Sequence, residues 1–219
     1  MIQTKILNQK KSILNRFMAE IRDQEIQKDP LRFRENIKRI SQILALEISK
    51  TFDYKEQIIK TPLAQMPILL EDEDIVIATI LRAGIPMQSA FLEIFDKAQC
   101  AFITAHRIEK PSGEIALDLG QIATPSIEGK TLLIVDPMLA TGISTAISYK
   151  ALVEKAGEPK KVHFACILGT PQGVEQIKKA LPEDRSTIWA AAIDPALNSQ
   201  SYIVPGLGDA GDLMYGEKL

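Results

Sequence analysis

The stretch from Thr131 to Thr145, TLLIVDPMLATGIST, constrains the fold more than any other part of the chain. Its apolar, β-branched run from Leu132 to Val135 is typical of a buried strand. The Asp136-Pro137 pair predicts the end of that strand, because proline cannot donate to a sheet ladder. Small residues follow, and a helical pattern then runs to Gly157, which suits a left-handed helix end. The stretch therefore predicts a strand, a turn and a helix in succession.

The loop between this strand and helix has the composition of an anion site. The first amides of a helix lack partners within the helix, and its dipole is positive at that end. Gly142 lets the backbone approach a ligand, and the hydroxyls of Thr141, Ser144 and Thr145 add donors, so a phosphate monoester fits. Asp136 would repel that phosphate but can accept hydrogen bonds from sugar hydroxyls, so the predicted ligand is a sugar phosphate. The alternative is a plain strand-to-helix connection with a threonine cap.

The C-terminal segment, SYIVPGLGDAGDLMYGEKL, is the second unusual stretch. Its glycines and acids are poor material for a core, but they suit a loop whose backbone contacts a small planar ligand. A pyrimidine base presents carbonyl acceptors and N–H donors that backbone groups can pair with, and such pairing rejects a mismatched base strongly. The alternative is a mobile, glycine-rich tail without a ligand.

The remaining chain alternates apolar runs with helical patterns, which predicts an α/β fold with a mainly parallel sheet. Arg82 follows the apolar run IVIATIL, at the end of a strand where ligands collect in open α/β sheets. The run AQCAFITA predicts a strand ending at about Ala105, and His106 with Arg107 is expected to begin a polar loop. Further strands are predicted at KVHFACIL and STIWAAAI, with helices at about residues 86–95 and 172–181.

The N-terminal part predicts helices. Residues 1–28 carry helical spacing, and Asp29-Pro30 predicts a cap followed by a second helix. The basic residues of that helix are either a substrate clamp or a solvated helix face, and the second interpretation is favoured; they are Arg32, Arg34, Lys38 and Arg39. Trp189 is expected in the core or an interface rather than as a stacking platform.

Composition argues against two classes of partner. The net charge of −2 gives no indication of nucleic-acid binding. No apolar run approaches about 18 residues and no secretory peptide precedes the polar N-terminus, so no membrane partner and a cytoplasmic location are expected.

The unusual stretches resemble the uracil phosphoribosyltransferases, which are type I phosphoribosyltransferases. VDPMLATGIST is similar to that family's VDPMLATGGS loop for 5-phospho-α-D-ribose 1-diphosphate (PRPP), and YIVPGLGDAGD is similar to its uracil-binding YIIPGLGDAGD. TILRAG is similar to the family's PILRAG. Ile143 stands where the family has a second glycine, so its side chain needs a permitted backbone conformation and room beside the ligand.

The resemblance implies a single domain over residues 1–219 with a type I phosphoribosyltransferase core. It would have N-terminal helices at about 5–50 and a small C-terminal base-binding hood at about 194–219. The implied reaction converts uracil and PRPP to UMP and diphosphate in pyrimidine salvage. Mg²⁺ would be held mainly through the diphosphate, the assembly would be a homodimer or higher homo-oligomer, and GTP is a candidate effector. The alternatives are a nucleotide-sensing regulator or a slow paralogue on the same fold.

The resemblance also implies roles residue by residue. Arg82 and Arg107 would contact the diphosphate and Asp136 the ribose hydroxyls, and these three are the predicted catalytic residues. The predicted PRPP site is Arg82, Arg107, Asp136, Pro137, Met138, Leu139, Ala140, Thr141, Gly142, Ile143, Ser144 and Asp209. The predicted uracil site is Ile203, Gly208, Asp209 and Ala210. His106 is expected to be a solvated loop side chain rather than a general acid, and no general base is assigned.

Overall fold

A computed structural model describes residues 1–109 and 115–217, with side chains described outside residues 106–118. The strands and helices in chain order are β1 (Gln3–Ile6), α1 (Leu14–Arg22), α2 (Pro30–Ser49), β2 (Tyr54–Lys60), β3 (Gln65–Glu71), β4 (Ile75–Leu81), α3 (Ile85–Ile94), β5 (Gln99–Glu109), β6 (Ile115–Ala123), β7 (Thr131–Val135), β8 (Met138–Leu139), α4 (Ile143–Ala156), β9 (Lys161–Gly169), α5 (Pro171–Lys178), β10 (Ser186–Ile193), β11 (Ala196–Leu197), β12 (Ile203–Val204) and α6 (Ala210–Tyr215).

An eight-stranded sheet forms the centre, in the order β1-β10-β9-β7-β4-β5-β6, and the short strand β8 also pairs with β9. Its pairs are parallel except for β5 with β6, which is antiparallel. The predicted mainly parallel sheet is therefore confirmed. Among the helices that the structure describes, none is long and apolar enough to cross a membrane.

The central strands are apolar on both faces because helices cover both faces. Alternate residues of β7 show this: Leu133 belongs to the core beneath α1, α2, α3 and α6, whereas Leu132 belongs to the core beneath α4 and α5. Every residue of β7 is buried. The carboxyl ends of β4 and β7 therefore lie at one edge of a sheet that is packed against helices on both faces.

Helix α2 begins as its sequence predicts. The Asp29 carboxylate accepts hydrogen bonds from the Leu31 and Arg32 amides, and proline occupies the first turn. Arg32 pairs with Glu20 at 3.0 Å, and Arg34 donates to the Met214 carbonyl at 2.7 Å. These side chains make an ion pair and a hydrogen bond to neighbouring helices. The contacts favour the interpretation of a solvated helix face over that of a substrate clamp.

Three elements differ from expectation. Residues 3–6 form β1, a short edge strand that the sequence pattern did not predict, because its stability comes from pairing with β10. Strand β5 continues past Ala105 to Glu109, because antiparallel pairing with β6 extends it through the predicted loop start at His106 and Arg107. Residues 54–71 contain an antiparallel hairpin, β2 with β3, for which no element was predicted.

Candidate functional site

An open cleft of about 540 Å³ lies at the carboxyl ends of β4 and β7. Two segments far apart in the chain meet there: the turn between β7 and α4, and the loop between β12 and α6. Its lining consists of Ile80, Leu81, Arg82, Ala83, Ala105, Asp136, Met138, Ala140, Thr141, Gly142, Ser144, Thr145, Gln200, Ser201, Tyr202, Ile203, Gly208, Asp209, Ala210 and Gly211. The cleft is large enough for one nucleotide-sized ligand.

The first wall of the cleft, here called the phosphate end, is the turn from Asp136 to Thr145. Gly142 ends the turn with φ 76°, and α4 begins at the next residue. A Cβ on Gly142 would lie 2.6 Å from the Gly173 carbonyl oxygen, so this position needs glycine for conformation and for space. Because the first intrahelical bond runs from the Ala146 amide to the Gly142 carbonyl, the amides of residues 143–145 have no partner within the helix. The Ile143 amide makes a long hydrogen bond, at 3.5 Å, to the Thr141 hydroxyl oxygen.

Asp136 lies where β7 stops, at the floor of the phosphate end. One of its carboxylate oxygens, Oδ1, accepts a 3.4 Å hydrogen bond from the Met138 amide, which orients the side chain. Cys166 lies within its electrostatic reach, and burial together with the Asp136 charge raises the pKa of that thiol well above its usual range. Cys166 is therefore a protonated core residue, and Asp136 carries the negative charge of this wall.

The second wall, here called the base end, is the backbone from Ile203 to Ala210. Gly208 has φ 91°, and a Cβ built there meets no heavy atom within 4 Å, so its backbone faces open space. Asp209 caps α6 by accepting a 3.0 Å hydrogen bond from the Asp212 amide. Ile203 is buried beside them and packs in the larger core. This wall presents main-chain groups and short side chains to the cleft.

Arg82 lies between the two walls, at the end of β4. Its Nη2 donates to an Asp212 carboxylate oxygen at 3.1 Å and to the Gly216 carbonyl at 3.2 Å. Its Nε is buried and has no hydrogen-bond partner among the described residues. Since buried donors are nearly always satisfied in folded proteins, the described residues leave this guanidinium incompletely hydrogen-bonded.

Several predicted site residues do not line the cleft. Leu139 is fully buried in the core, and the Pro137 carbonyl accepts hydrogen bonds from the Ile167 and Leu168 amides. Ile143 is the first residue of α4 and its side chain is 50% exposed, so it has both the permitted backbone and the room that it needs. The Arg107 side chain lies outside the described residues, as does that of His106.

Several cleft residues were missed by the sequence prediction, and three of them come from one turn. Gln200, Ser201 and Tyr202 line the cleft from the turn between β11 and β12. The Asn198 carboxamide oxygen holds this turn by accepting hydrogen bonds from the Gln200 and Tyr202 amides at 3.0 and 2.9 Å. An asparagine followed by small polar residues is a turn signal, so the turn was predictable but its place at the cleft was not.

The metal-binding capacity of the cleft is modest. No group of three or more His, Cys, Asp or Glu side chains that could hold a metal ion occurs in the described part of the chain. The cleft does carry two carboxylates, Asp136 and Asp209. Mg²⁺ commonly binds one or two carboxylates together with water and substrate phosphates, so this donor set fits a metal that arrives with a phosphorylated ligand.

His163 and Trp189 belong to the core. Trp189 is 2% exposed, and its Nε1 donates to the His163 Nδ1 at 3.2 Å. Burial, with a smaller effect of the nearby Lys161 charge, lowers the pKa of His163 to about 4. The imidazole is therefore neutral near pH 7, and the core placement predicted for Trp189 is confirmed.

Comparisons with known proteins find related sequences and a similar fold. The family model described as uracil phosphoribosyltransferase matches residues 8–217. A uracil phosphoribosyltransferase of Porphyromonas gingivalis is 49% identical over 95% of this chain and 95% of its own length. One from Thermococcus gammatolerans is 36% identical over 92% of this chain and 88% of its own. Among solved structures, the AQ2163 protein of Aquifex aeolicus superposes with a TM-score of 0.84 and 26% identity, covering 98% of both chains.

Proposed function

The chain belongs to the uracil phosphoribosyltransferase family, and from that premise we propose that its cleft joins uracil to C1′ of PRPP, forming UMP and diphosphate. The chain is thus a pentosyltransferase. The phosphate end and the base end line one cleft, and the proposed assignment of residues rests on this observation. A single nucleotide could span these two walls, whereas two separate pockets would leave the substrates apart.

The phosphate end would hold the ribose 5′-phosphate. The amides of residues 143–145 lie at the positive end of the α4 dipole, and the hydroxyls of Thr141, Ser144 and Thr145 are beside them. This wall supplies positioning rather than bond making, because the phosphate does not react. Asp136 would accept hydrogen bonds from the ribose hydroxyls, and its charge would favour the positive charge that develops on the ribose ring.

The leaving diphosphate would be held by arginine. As the bond from C1′ to the diphosphate oxygen breaks, negative charge grows on the departing oxygen, and a guanidinium can stabilise it with paired hydrogen bonds. Arg82 lines the cleft, and its side chain is 36% exposed, so part of the guanidinium can reach a ligand there. Arg107 is proposed for the same role on the family resemblance.

Mg²⁺ would enter with PRPP, held mainly by the diphosphate oxygens. Asp209 would contribute through the water shell of the metal, and Asp136 is the second carboxylate of suitable chemistry at the cleft. When bound, the metal would neutralise part of the leaving-group charge.

The base end would recognise uracil through the main chain. The carbonyls and N–H groups of the pyrimidine would pair with backbone at Gly208, Asp209 and Ala210, while Ile203 would contact the ring. Uracil N1 bonds to C1′ and loses its proton to solvent; no side chain is assigned as a general base. This wall belongs to the proposed C-terminal hood at about residues 194–219. The proposed single domain spans residues 1–219 and includes N-terminal helices at about residues 5–50.

We further propose that the protein is cytoplasmic and forms a homodimer or a higher homo-oligomer. We propose a role in pyrimidine salvage, with GTP as a candidate effector. The exposed β2–β3 hairpin supports self-association, because it carries apolar side chains on the surface: Ile58 is 62% exposed, Leu63 is 97% exposed and Leu69 is 63% exposed. Sedimentation with and without GTP tests this proposal. A monomer at micromolar concentration would contradict the proposed assembly.

A radiolabelled-uracil assay with PRPP, with and without Mg²⁺, tests the proposed reaction. Stoichiometric formation of UMP and diphosphate, dependent on Mg²⁺, is expected. Cytosine in place of uracil is the specificity control. Tight RNA binding without UMP formation would favour a nucleotide-sensing regulator, and slow turnover with tight UMP binding would favour the paralogue.

A further inference from the structure

A partly buried ion pair outside the cleft holds the backbone of the base end. Arg22, the last residue of α1, donates from both terminal nitrogens to the two carboxylate oxygens of Asp194, each at 2.7 Å. Asp194 directly follows β10. The same Nη1 of Arg22 donates to the Gly206 carbonyl at 3.1 Å, and the Gly206 amide donates to the Asp194 Oδ2 at 2.9 Å. Both polar backbone groups of Gly206 are therefore bound by this pair.

The geometry of the Arg22–Asp194 pair makes it stiffer than an ordinary surface salt bridge. The Asp194 side chain is 8% exposed and that of Arg22 is 24% exposed. The planar guanidinium meets the carboxylate with two parallel hydrogen bonds, which fixes orientation as well as distance. Burial alone would raise the pKa of Asp194, but the hydrogen bonds from Arg22 and from the Gly206 amide lower it on balance. The pair is therefore charged across the neutral pH range.

A neighbouring contact acts on the same backbone. With its carboxamide oriented so that the nitrogen donates, Gln27 reaches the Leu207 carbonyl at 2.9 Å and the Ile21 carbonyl at 3.0 Å. The consecutive residues Gly206 and Leu207 are thus both tied to the N-terminal segment. Gly208, with its open backbone at the cleft, follows immediately.

We propose that Arg22 and Asp194 are positioning residues that set the backbone of residues 206–208 for recognition of the base. Neither side chain lines the cleft, so they act through Gly206 and not by touching a substrate. This inference rests on the function proposed above, since it assigns the base to that wall. A misplacement of the wall by a fraction of an ångström would weaken its hydrogen bonds to uracil and leave the phosphate end as it was.

The test compares Michaelis constants for the two substrates across matched variants. Arg22→Met removes the guanidinium and keeps the length of the side chain, whereas Arg22→Lys keeps the charge without the planar fork. The control is Arg185→Met, which breaks a 2.6 Å ion pair with Glu158 on a surface away from the cleft. Arg22→Met should raise KM for uracil about tenfold and change KM for PRPP less than twofold. The KM for uracil of Arg22→Lys should lie between those of the parent and Arg22→Met. The control should change neither Michaelis constant.

Amide hydrogen exchange provides a second readout that does not depend on activity. In Arg22→Met and in the isosteric Asp194→Asn, exchange should accelerate at residues 206–208 and stay unchanged at residues 143–146. If Arg22→Met fails to fold, Arg22→Lys and Asp194→Asn carry the same comparison. Equal changes in both Michaelis constants would overturn the inference. Unchanged Michaelis constants together with unchanged amide exchange at residues 206–208 would also overturn it. A parent protein that forms no UMP would instead overturn the proposed function, and the exchange data would still decide whether the pair orders this wall.

Discussion

The phosphate end and the base end of the cleft are built in opposite ways. The phosphate end is one continuous segment, from the end of β7 through Gly142 into α4. The base end is an irregular loop whose backbone depends on partners far away in the chain, since 172 residues separate Arg22 from Asp194. The phosphate end is continuous with a strand and a helix, and contacts from Thr170 and Gly173 of the next helix support it. The base end lies in a loop whose backbone is bound by residues much farther away in the chain.

This difference suits the two ligands. A phosphate is nearly symmetric and highly charged, so a helix N-terminus with a few hydroxyls binds it without fine adjustment. A pyrimidine base must be distinguished by the direction of its hydrogen bonds, so its wall has to be held at a defined orientation. The two walls should therefore respond differently to substitution, and the following predictions run from the largest expected effect to the smallest.

Asp136→Asn should cause the largest loss, because it removes the charge that favours a positive ribose ring. We expect kcat to fall about 10²- to 10³-fold, by analogy with the loss of one preorganised electrostatic group in other enzymes. The midpoint of thermal unfolding should change little. Steady-state kinetics and a thermal melt measure both, with the exposed Asp184→Asn as control. Unchanged kcat would remove Asp136 from the mechanism.

Gly142→Ala should damage the phosphate end alone. The added Cβ would meet the Gly173 carbonyl oxygen at 2.6 Å, and φ is 76°. We expect a loss of about 2 kcal/mol in the free energy of unfolding and a rise in KM for PRPP, with KM for uracil nearly constant. Gly129→Ala is the matched control, because Gly129 has φ 69° and a Cβ there meets nothing within 4 Å. An equal effect on both Michaelis constants would contradict the independence of the two walls.

A substitution of Glu73 tests whether the free energy of unfolding can be lowered without changing either wall of the cleft. Its fully buried carboxylate lies just before β4, opposite the cleft, and pairs with Lys160 and Lys161 at 2.9 and 3.1 Å. Burial would raise its pKa, but hydrogen bonds from Lys160, Thr131, the Asp53 amide and Lys161 outweigh it and lower the pKa from 4.5 to about 2.

The sign of the pH effect follows from that lowered pKa. The stabilisation by Glu73 is complete above pH 4.5 and is lost as the pH falls toward 2, with a total of about 2 kcal/mol after allowance for screening. Denaturant unfolding from pH 6 to pH 3 should therefore show a steeper loss in the parent than in Glu73→Gln. The neighbouring exposed Asp74→Asn is the control. Equal slopes in parent and Glu73→Gln would refute the assignment, and neither KM should change at pH 7.

Ile143→Gly should have the smallest effect. The Ile143 side chain is half exposed and Ile143 is not among the residues that line the cleft, so only its amide is proposed to bind the phosphate. Removing the side chain should therefore change KM for PRPP less than twofold. The free energy of unfolding should fall by up to about 1 kcal/mol, because glycine is a poor helix residue. A tenfold change in KM for PRPP would mean that the side chain contacts the ligand after all.

The same contrast explains what could be predicted from sequence. The strand, turn and helix around Gly142 follow from apolar periodicity, a proline and two glycines, all of which are local. Strand β1 could not be predicted, because its four residues gain their stability from β10 and not from their own composition. The extension of β5 past Ala105 has the same cause, since it exists only where β6 pairs with it.

The base end shows a further limit. Its glycines and acids indicated a loop that contacts a ligand, but nothing near Gly206 in the sequence points to Arg22. The distance between the two residues along the chain hides the ion pair that binds both backbone groups of Gly206. The residues that follow Asn198 are typical of a turn, yet the place of that turn on the cleft depends on the pairing of β11 with β12.

A crystal structure with UMP bound tests the central claim most directly. We expect the phosphate within hydrogen-bond distance of the amides of residues 143–145 and the uracil ring paired with the main chain of residues 208–210, in one continuous cleft. A nucleotide bound with its base away from residues 203–210, or with its phosphate away from the start of α4, would contradict it.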